Sequence, residues 1–380
     1  MRILIAPNTF KNSLPAAAAA EAIREGLEQS DLVCTTTLFP VGDGGDGTGA
    51  LITHQCRGEI IVSPVRDPLG RSINAEFGLI DNGRTAVIEM AAASGLRLLK
   101  SDELDPMRAS SYGTGLQIKQ AIEKGAKKII LCVGGSATVD GGCGLLRALG
   151  FRFLDGKGNE LESIAAIQNG LTSIDDSPAH RYRQLNLTVL CDVRNPLLGD
   201  NGAAAVFGPQ KGASPQQLHL LEAGLRQLAS IIQKQTGRAV GEIEHGGAAG
   251  GVAAGLHGIM GAALVNGIDH FMQLTDFDSA LRTADLVITG EGSLDRQTLD
   301  GKAPYGVAMH SRQLQVPVIA MAGKIEAEDR SGLLQYFMEL ININEEDTGL
   351  AAALAATGPN LVRCSKDLGN RLAKKSRLPE

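Results

Sequence analysis

The sequence predicts an α/β protein of two domains: a parallel-sheet domain drawn from both ends of the chain, and a second α/β domain with antiparallel strands inserted into it. Three observations predict this. Short apolar runs alternate with helix-forming stretches near both ends, the rhythm of βαβ units joined by right-handed crossovers. From about Val62 the texture changes to alternating segments punctuated by Asp67-Pro68-Leu69-Gly70 and Asp81-Asn82-Gly83, which are turn signals between antiparallel strands. Aromatic residues make up only 3% of the 380 residues, with no Trp. Alanine, glycine and branched aliphatics therefore fill the core, as where helices cover a parallel sheet. The expected bounds are residues 1–64 and 275–380 for the first domain and 65–274 for the insert, with the functional cleft between them.

Taken in order, Ile3 to Ala6 is the first strand, Pro7 to Asn12 a loop, Ser13 an N-cap, and Ala16 to Leu27 a helix of strong helix formers. Leu38 to Val41 is a second strand that empties into Gly42–Thr48, with a helix following through Leu51 and Ile52. Ile73 to Leu79 and Thr85 to Met90 alternate like half-buried strands. Helices are expected over Gly115–Lys124, Gly144–Leu149 and Pro215–Thr236, and strands over Lys128–Val133 and Leu187–Val193. The parallel texture returns with Ala284–Thr289, Val316–Ala322 and Phe337–Ile343.

Composition excludes several classes. The formal charge of −6 is mild and spread out, and no basic run is interleaved with aromatics, which argues against a nucleic-acid partner. The tight basic cluster Lys374-Lys375-Ser376-Arg377 reads as a solvated tail. Six cysteines show no CxxC or metal-finger spacing, the usage of a reducing cytosol without disulfides. The apolar run after Met1 is too short for a signal peptide, and Val252–Val265 is too short to span a bilayer. The expectation is a soluble cytoplasmic protein without a membrane partner.

The chemistry gathers at glycine-rich strand ends. Gly134 to Gly142 holds four glycines with Ser136, Thr138 and Asp140, a loop of bare amides and small polar groups suited to phosphate oxygens. Asp43 and Asp46 flank Gly44-Gly45, where carboxylates can hold Mg²⁺ or accept a hydroxyl proton. For Asp46, capping of the next helix is an equal reading. Lys11 follows the first strand and Lys211 lies between Gly208 and Gly212, both placed to meet an anion. Asp192 ends another strand, and Glu291 and Asp295 complete the acidic set where a strand hands over to a loop. His245 precedes the glycine-rich turn Gly246–Gly251. The loop after the first strand lacks the GxxxxGK[ST] and GxGxxG spacings, and the chain has no GxSxG elbow.

An ordered set of segments then resembles one family. The set runs through Ile5-Ala6-Pro7 with Phe10-Lys11 and Ser13-Leu14, Asp43-Gly44-Gly45-Asp46-Gly47-Thr48, Ile88 to Leu96, and Ser111-Tyr112-Gly113-Thr114-Gly115. It continues with Gly134 to Gly142, Cys191-Asp192-Val193 with Asn195-Pro196-Leu197, Phe207 to Ala213, and Thr289-Gly290-Glu291-Gly292. Together they resemble the type-1 glycerate kinases of bacteria, from the first strand to about Gly323. The resemblance implies a flavodoxin-like parallel domain with an inserted α/β domain, and ATP-dependent phosphorylation of D-glycerate with Mg²⁺. On this reading Lys11, Asp43 and Asp192 are the catalytic candidates, with Asp43 and Asp192 the candidate metal ligands, one binding Mg²⁺ and the other orienting the attacking hydroxyl. Ser136, Thr138, Asp140, Lys211, Glu291 and Asp295 would bind substrate or nucleotide. Asn8-Thr9 stands where the family usually has Asp-Ser, Asp46 where it has Glu, Val139 where Asn is common and Ser293 where Arg is often found. Attack through the 3-hydroxyl, another small hydroxy acid as acceptor, a non-catalytic sensor and self-association stay open at this point.

Overall fold

The computed structural model describes residues 1–182, 184–345 and 349–376; Arg377 of the basic tail lies outside them. The described strands, in chain order, begin with β1 (Arg2–Pro7), β2 (Thr35–Leu38), β3 (Glu59–Arg66), β4 (Ser72–Ile80) and β5 (Thr85–Glu89). There follow β6 (Lys128–Cys132), β7 (Arg152–Leu154), β8 (Ser173–Asp175), β9 (Asn186–Cys191) and β10 (Ala263–Asn266). β11 (Leu286–Leu294), β12 (Val318–Ile325) and β13 (Glu339–Asn342) complete the set. The chain divides into two compact units, unit 1 from Met1–Asp43 with Ile268–Glu380 and unit 2 from Gly44–Gly267.

Unit 1 is a sheet in the order β13-β12-β11-β1-β2, and each neighbouring pair is parallel. Counted within the unit this is the order 2-1-3-4-5 of flavodoxin-like sheets, whose ligands sit at the carboxyl ends of the central pair where strand order reverses. Here that pair is β1 and β11. Ile3, Ile5, Ile288, Ile319 and Met321 bury their side chains against the helices Ala16–Glu28 and Thr357–Ser376. The two helices approach closely at Gly26, where a Cβ would meet the Val362 carbonyl oxygen at 2.2 Å.

Unit 2 holds the mixed sheet β10-β9-β6-β5-β4-β3 and a small antiparallel pair, β7–β8. β3–β4 and β4–β5 are antiparallel, and the remaining pairs of the large sheet are parallel. The helix Pro215–Thr236 turns Leu221, Leu225, Leu228 and Ile232 into the core of this unit, the i, i+4, i+7, i+11 stripe of an amphipathic helix. Ser214 and Gln217 form a reciprocal capping box at its start, and Gly237 ends it at φ 75°.

Several expectations change in detail. Residues 44–64 fall in unit 2, because the helix Thr48–Gln55 packs on β4 and β5 while β3 pairs along β4. Residues 268–274 fall in unit 1, where Ile268 abuts Gly306. Ser13 is no N-cap: its hydroxyl donates to the Leu354 carbonyl, and Pro15 precedes the helix. The second strand is Thr35–Leu38 rather than Leu38–Val41. β-Branched threonines form its ladder with β1, and beyond it the Phe39 and Val41 N–H groups still donate to the Ile5 and Pro7 carbonyls at 2.8 and 3.0 Å. β11 runs on to Leu294, so Glu291 lies inside a strand opposite Ala322 instead of after one. No helix among the described residues is long and apolar enough to cross a membrane, and all six cysteines are free thiols.

Candidate active site

In unit 1 the ends of β1 and β11 bring together an acidic group. Asn8, directly after β1, accepts the Thr9 N–H on Oδ1 at 2.7 Å and donates from Nδ2 to Asp43 Oδ2 at 2.9 Å. Glu291 is buried and accepts the Thr298 hydroxyl at 2.9 Å. Asp295 caps the turn that carries Thr298, its Oδ1 accepting the Thr298 N–H at 3.2 Å. Lys302 Nζ lies 3.7 Å from the same oxygen. Burial pushes the Glu291 carboxyl up to about 7; Lys302 opposes the rise, and the charges of Asp43 and Asp295 add to it. Lys11 is exposed in the loop after β1, and its backbone passes 3.3 Å from where a Gly292 Cβ would stand.

In unit 2 the glycine-rich loops pack backbone to backbone. The Gly134 N–H donates to the Gly44 carbonyl at 2.9 Å, and a Cβ on Gly134 would lie 2.4 Å from the Gly45 Cα. On the other side the Gly141 N–H donates to the Gly250 carbonyl at 3.0 Å. The Leu96 N–H donates to the Gly135 carbonyl and the Ala137 N–H to the Ser94 carbonyl, each at 2.9 Å. A ring nitrogen of His245, Nδ1, donates to the Val193 carbonyl at 2.6 Å, fastening the segment after Asp192 to the Gly246–Gly251 turn.

Gly250 has φ 65°, and its Cβ would stand 2.0 Å from the Thr138 carbonyl oxygen. Both the left-handed backbone and the contact with main chain exclude a side chain there. G250A is expected to destabilise the protein by at least about 1–2 kcal/mol, from the backbone strain alone. Thermal unfolding checks this, and an unchanged Tm would contradict it.

Two buried charges hold this loop from within. Asp140 Oδ2 accepts the Ser111 N–H at 2.9 Å, the Ser111 hydroxyl at 2.7 Å and the Gly144 N–H at 3.1 Å, and Oδ1 accepts the Gly142 N–H at 3.0 Å. Its role in this geometry is to shape the loop. Lys211 is buried too, its Nζ donating to Ser136 Oγ at 2.9 Å and to the Thr138 carbonyl at 2.7 Å. It acts through the loop and does not project from it. Ser136 Oγ thus accepts a hydrogen bond from the ammonium and keeps its own O–H to donate. Thr138 Oγ1 is fully buried and has no hydrogen-bond partner among the described residues, an unmet need of the kind a ligand or an ordered water fills. Asp192 is half-buried at the end of β9.

Burial lowers the Lys211 ammonium from 10.5 to about 7, against the opposing pull of Asp140 and Asp192. Between these two values the unfolded chain binds the proton that the folded protein has lost, so this group makes stability rise with pH over that window. Below about 7 both states hold the proton and the slope vanishes. K211M is expected to abolish the rise. Denaturant midpoints of both proteins at pH 7 and pH 9 check this, and an identical gain in K211M would contradict it.

The site residues thus group by unit: Lys11, Asp43, Glu291 and Asp295 in unit 1, and Ser136, Thr138, Asp140, Asp192 and Lys211 in unit 2. The sequence reading missed Asn8, Thr298 and Lys302 as partners of the acids and Ser111 as the partner of Asp140. The Asp295-x-x-Thr298 spacing was a readable signal of a capped turn; nothing local links Ser111 to Asp140.

The profile of the Glycerate kinase family matches residues 3–373. The chain is 44% identical over 370 residues to a glycerate kinase of Bacillus subtilis, covering 97% of each chain. It is 39% identical over 378 residues to a glycerate 2-kinase of Escherichia coli, covering 98% of each. Among solved structures it is similar to a protein named glycerate kinase 2 from Salmonella typhimurium LT2, with a TM-score of 0.83, 37% identity and all of both chains covered.

Proposed function

This chain belongs to the glycerate kinase family, and from that membership we propose that it transfers the γ-phosphoryl group of ATP to the 2-hydroxyl of D-glycerate, giving ADP and 2-phosphoglycerate. The observation that carries the reading is the acidic group at the switch point of a 2-1-3-4-5 sheet, in a chain that relatives named glycerate kinases match over nearly its whole length. The 2-hydroxyl is favoured by the likeness to the Escherichia coli protein named glycerate 2-kinase.

Phosphoryl transfer asks a protein mainly for positioning and for neutralisation of charge. Mg²⁺ keeps most of its waters and takes one or two carboxylates beside the phosphates. It therefore needs no dense cluster, and among the described residues no group of three or more His, Cys, Asp or Glu forms one. What supports Asp43 and Glu291 as its holders is their mutual repulsion: the Asp43 charge helps to push Glu291 up, a strain that a divalent cation relieves. Bound there, the cation would offset charge on the phosphate oxygens. Lys11, exposed in the loop after β1, is assigned to the same phosphates through its ammonium. Asp295 and Thr298 orient Glu291.

In unit 2, the amides of Gly134–Gly142 and the Ser136 hydroxyl are assigned to anionic oxygens, with Asp140 and Lys211 keeping the loop in shape. Asp192 is assigned to the acceptor hydroxyl, taking its proton as the new P–O bond forms and ADP departs. The test is ADP release. It is expected to require ATP, D-glycerate and Mg²⁺ together and to stop on adding a chelator. ADP formation that ignores D-glycerate would refute the reading.

A further inference from the structure

Glu89 closes β5, an interior strand of the unit 2 sheet, and its carboxylate reaches the start of the helix Thr48–Gln55. Oε1 accepts the Gly49 N–H at 2.7 Å and the Ala50 N–H at 3.2 Å, and Oε2 accepts the Gly47 N–H at 3.2 Å. Amides at the start of a helix have no acceptor inside it; this one side chain satisfies three of them, and the Thr48 N–H donates to the Gly45 carbonyl at 3.2 Å. The fit is tight: a Cβ on Gly49 would stand 2.7 Å from Glu89 Cγ. Burial raises the carboxyl above the ordinary glutamate range; the three amides oppose this and Asp46 adds to it.

That is a costly way to cap a helix. An exposed Ser, Thr or Asp at the N-cap satisfies such amides without desolvating a carboxylate, and the N-cap here is Gly47, which has no side chain to offer. What Glu89 adds is a tie between the sheet and the Gly44–Thr48 loop. That loop is otherwise held by the Gly44 N–H to Thr48 Oγ1 at 3.1 Å and by the Gly134 N–H to the Gly44 carbonyl at 2.9 Å. Asp46 presses on the same junction, since a Cβ on Gly135 would stand 2.3 Å from its Oδ1. The grip of Glu89 on Gly47 is therefore a grip on the residue next to Asp46, at the seam of two glycine-rich loops.

We propose that Glu89 is a positioning residue for phosphoryl transfer, holding the Gly44–Thr48 loop in register against the Gly134–Gly142 loop. The proposal rests on the kinase reading above. Glu89→Gln tests it in the full chain, because Gln keeps Oε1 for Gly49 and Ala50 but turns an NH₂ toward the Gly47 N–H. The expected result is a kcat lower by about 10–100-fold, the scale of a small misplacement at a reacting centre. KM for ATP and for D-glycerate should stay within about two-fold, since the contacts that bind them are kept in ground state and transition state alike. Glu89→Ala is expected to lose the same kcat and also to unfold at lower temperature. In parallel, amide hydrogen exchange should quicken in E89Q for the segments 44–50 and 134–142 while the rest of the chain keeps its protection. An E89Q enzyme with unchanged kcat, or with exchange unaltered in those two segments, overturns the proposal. The exchange reading stands whatever the acceptor is, so a wild-type protein that makes no ADP with D-glycerate overturns the kinase reading and leaves the exchange result to decide the other.

Discussion

Replacement of Asp43 by Asn is expected to lower kcat by about 10²–10⁴-fold, the range for losing a charge or proton acceptor at a reacting centre. The substitution keeps the shape and one acceptor oxygen, so the Asn8 Nδ2 bond at 2.9 Å can persist. Only the negative charge is lost. Asp43 is half-buried rather than core, so Tm should hold or rise slightly as its repulsion with Glu291 disappears. The raised Mg²⁺ requirement of the variant, read as the concentration giving half-maximal rate, separates a metal-holding role from a fold defect. Near-normal turnover would remove Asp43 from the mechanism.

The largest effect on stability is expected from Asp140→Ala. The substitution strips acceptors from the N–H groups of Ser111, Gly142 and Gly144 and from the Ser111 hydroxyl. Unmade hydrogen bonds of buried groups cost about 1–3 kcal/mol each, and water entering the space left by the side chain recovers part. A net loss of about 3–5 kcal/mol is expected, the range for removing one partner of a buried charged network. At about 2–4 °C per kcal/mol for a unit of this size, Tm should fall by roughly 10 °C. D140N keeps one acceptor oxygen and should fall between the two. A D140A protein that melts with the wild type would show that the loop does not depend on this carboxylate.

The sequence was most legible where glycine accompanies a polar side chain at the end of an apolar run. Gly134–Gly142 and Gly42–Thr48 are loops, and the structure packs one against the other. Glycine misled where it serves packing instead of turning. Gly290 lies within β11, where a Cβ would strike the Met321 carbonyl at 2.2 Å, yet Thr289-Gly290 reads as the end of a strand. The edge strand β3 went unread because Pro64 sits within it, a residue that counts against strands except at sheet edges. The site was legible as a set of residue types and less so as roles. Lys211 between two glycines reads as a side chain reaching outward, but Gly212 at φ 95° closes a turn against Leu104 and the ammonium is buried beneath the loop. The four donors on Asp140 come partly from Ser111, a pairing between distant segments that no local spacing encodes.

The central claim, phosphoryl transfer to the 2-hydroxyl of D-glycerate, is tested most directly by proton-coupled ³¹P NMR of the product made from ATP and D-glycerate. A phosphate on the secondary carbon couples to a single proton, and one on the primary carbon to two. A doublet for the new phosphate ester is the expected result; a triplet, or no new ester at all, would contradict the account.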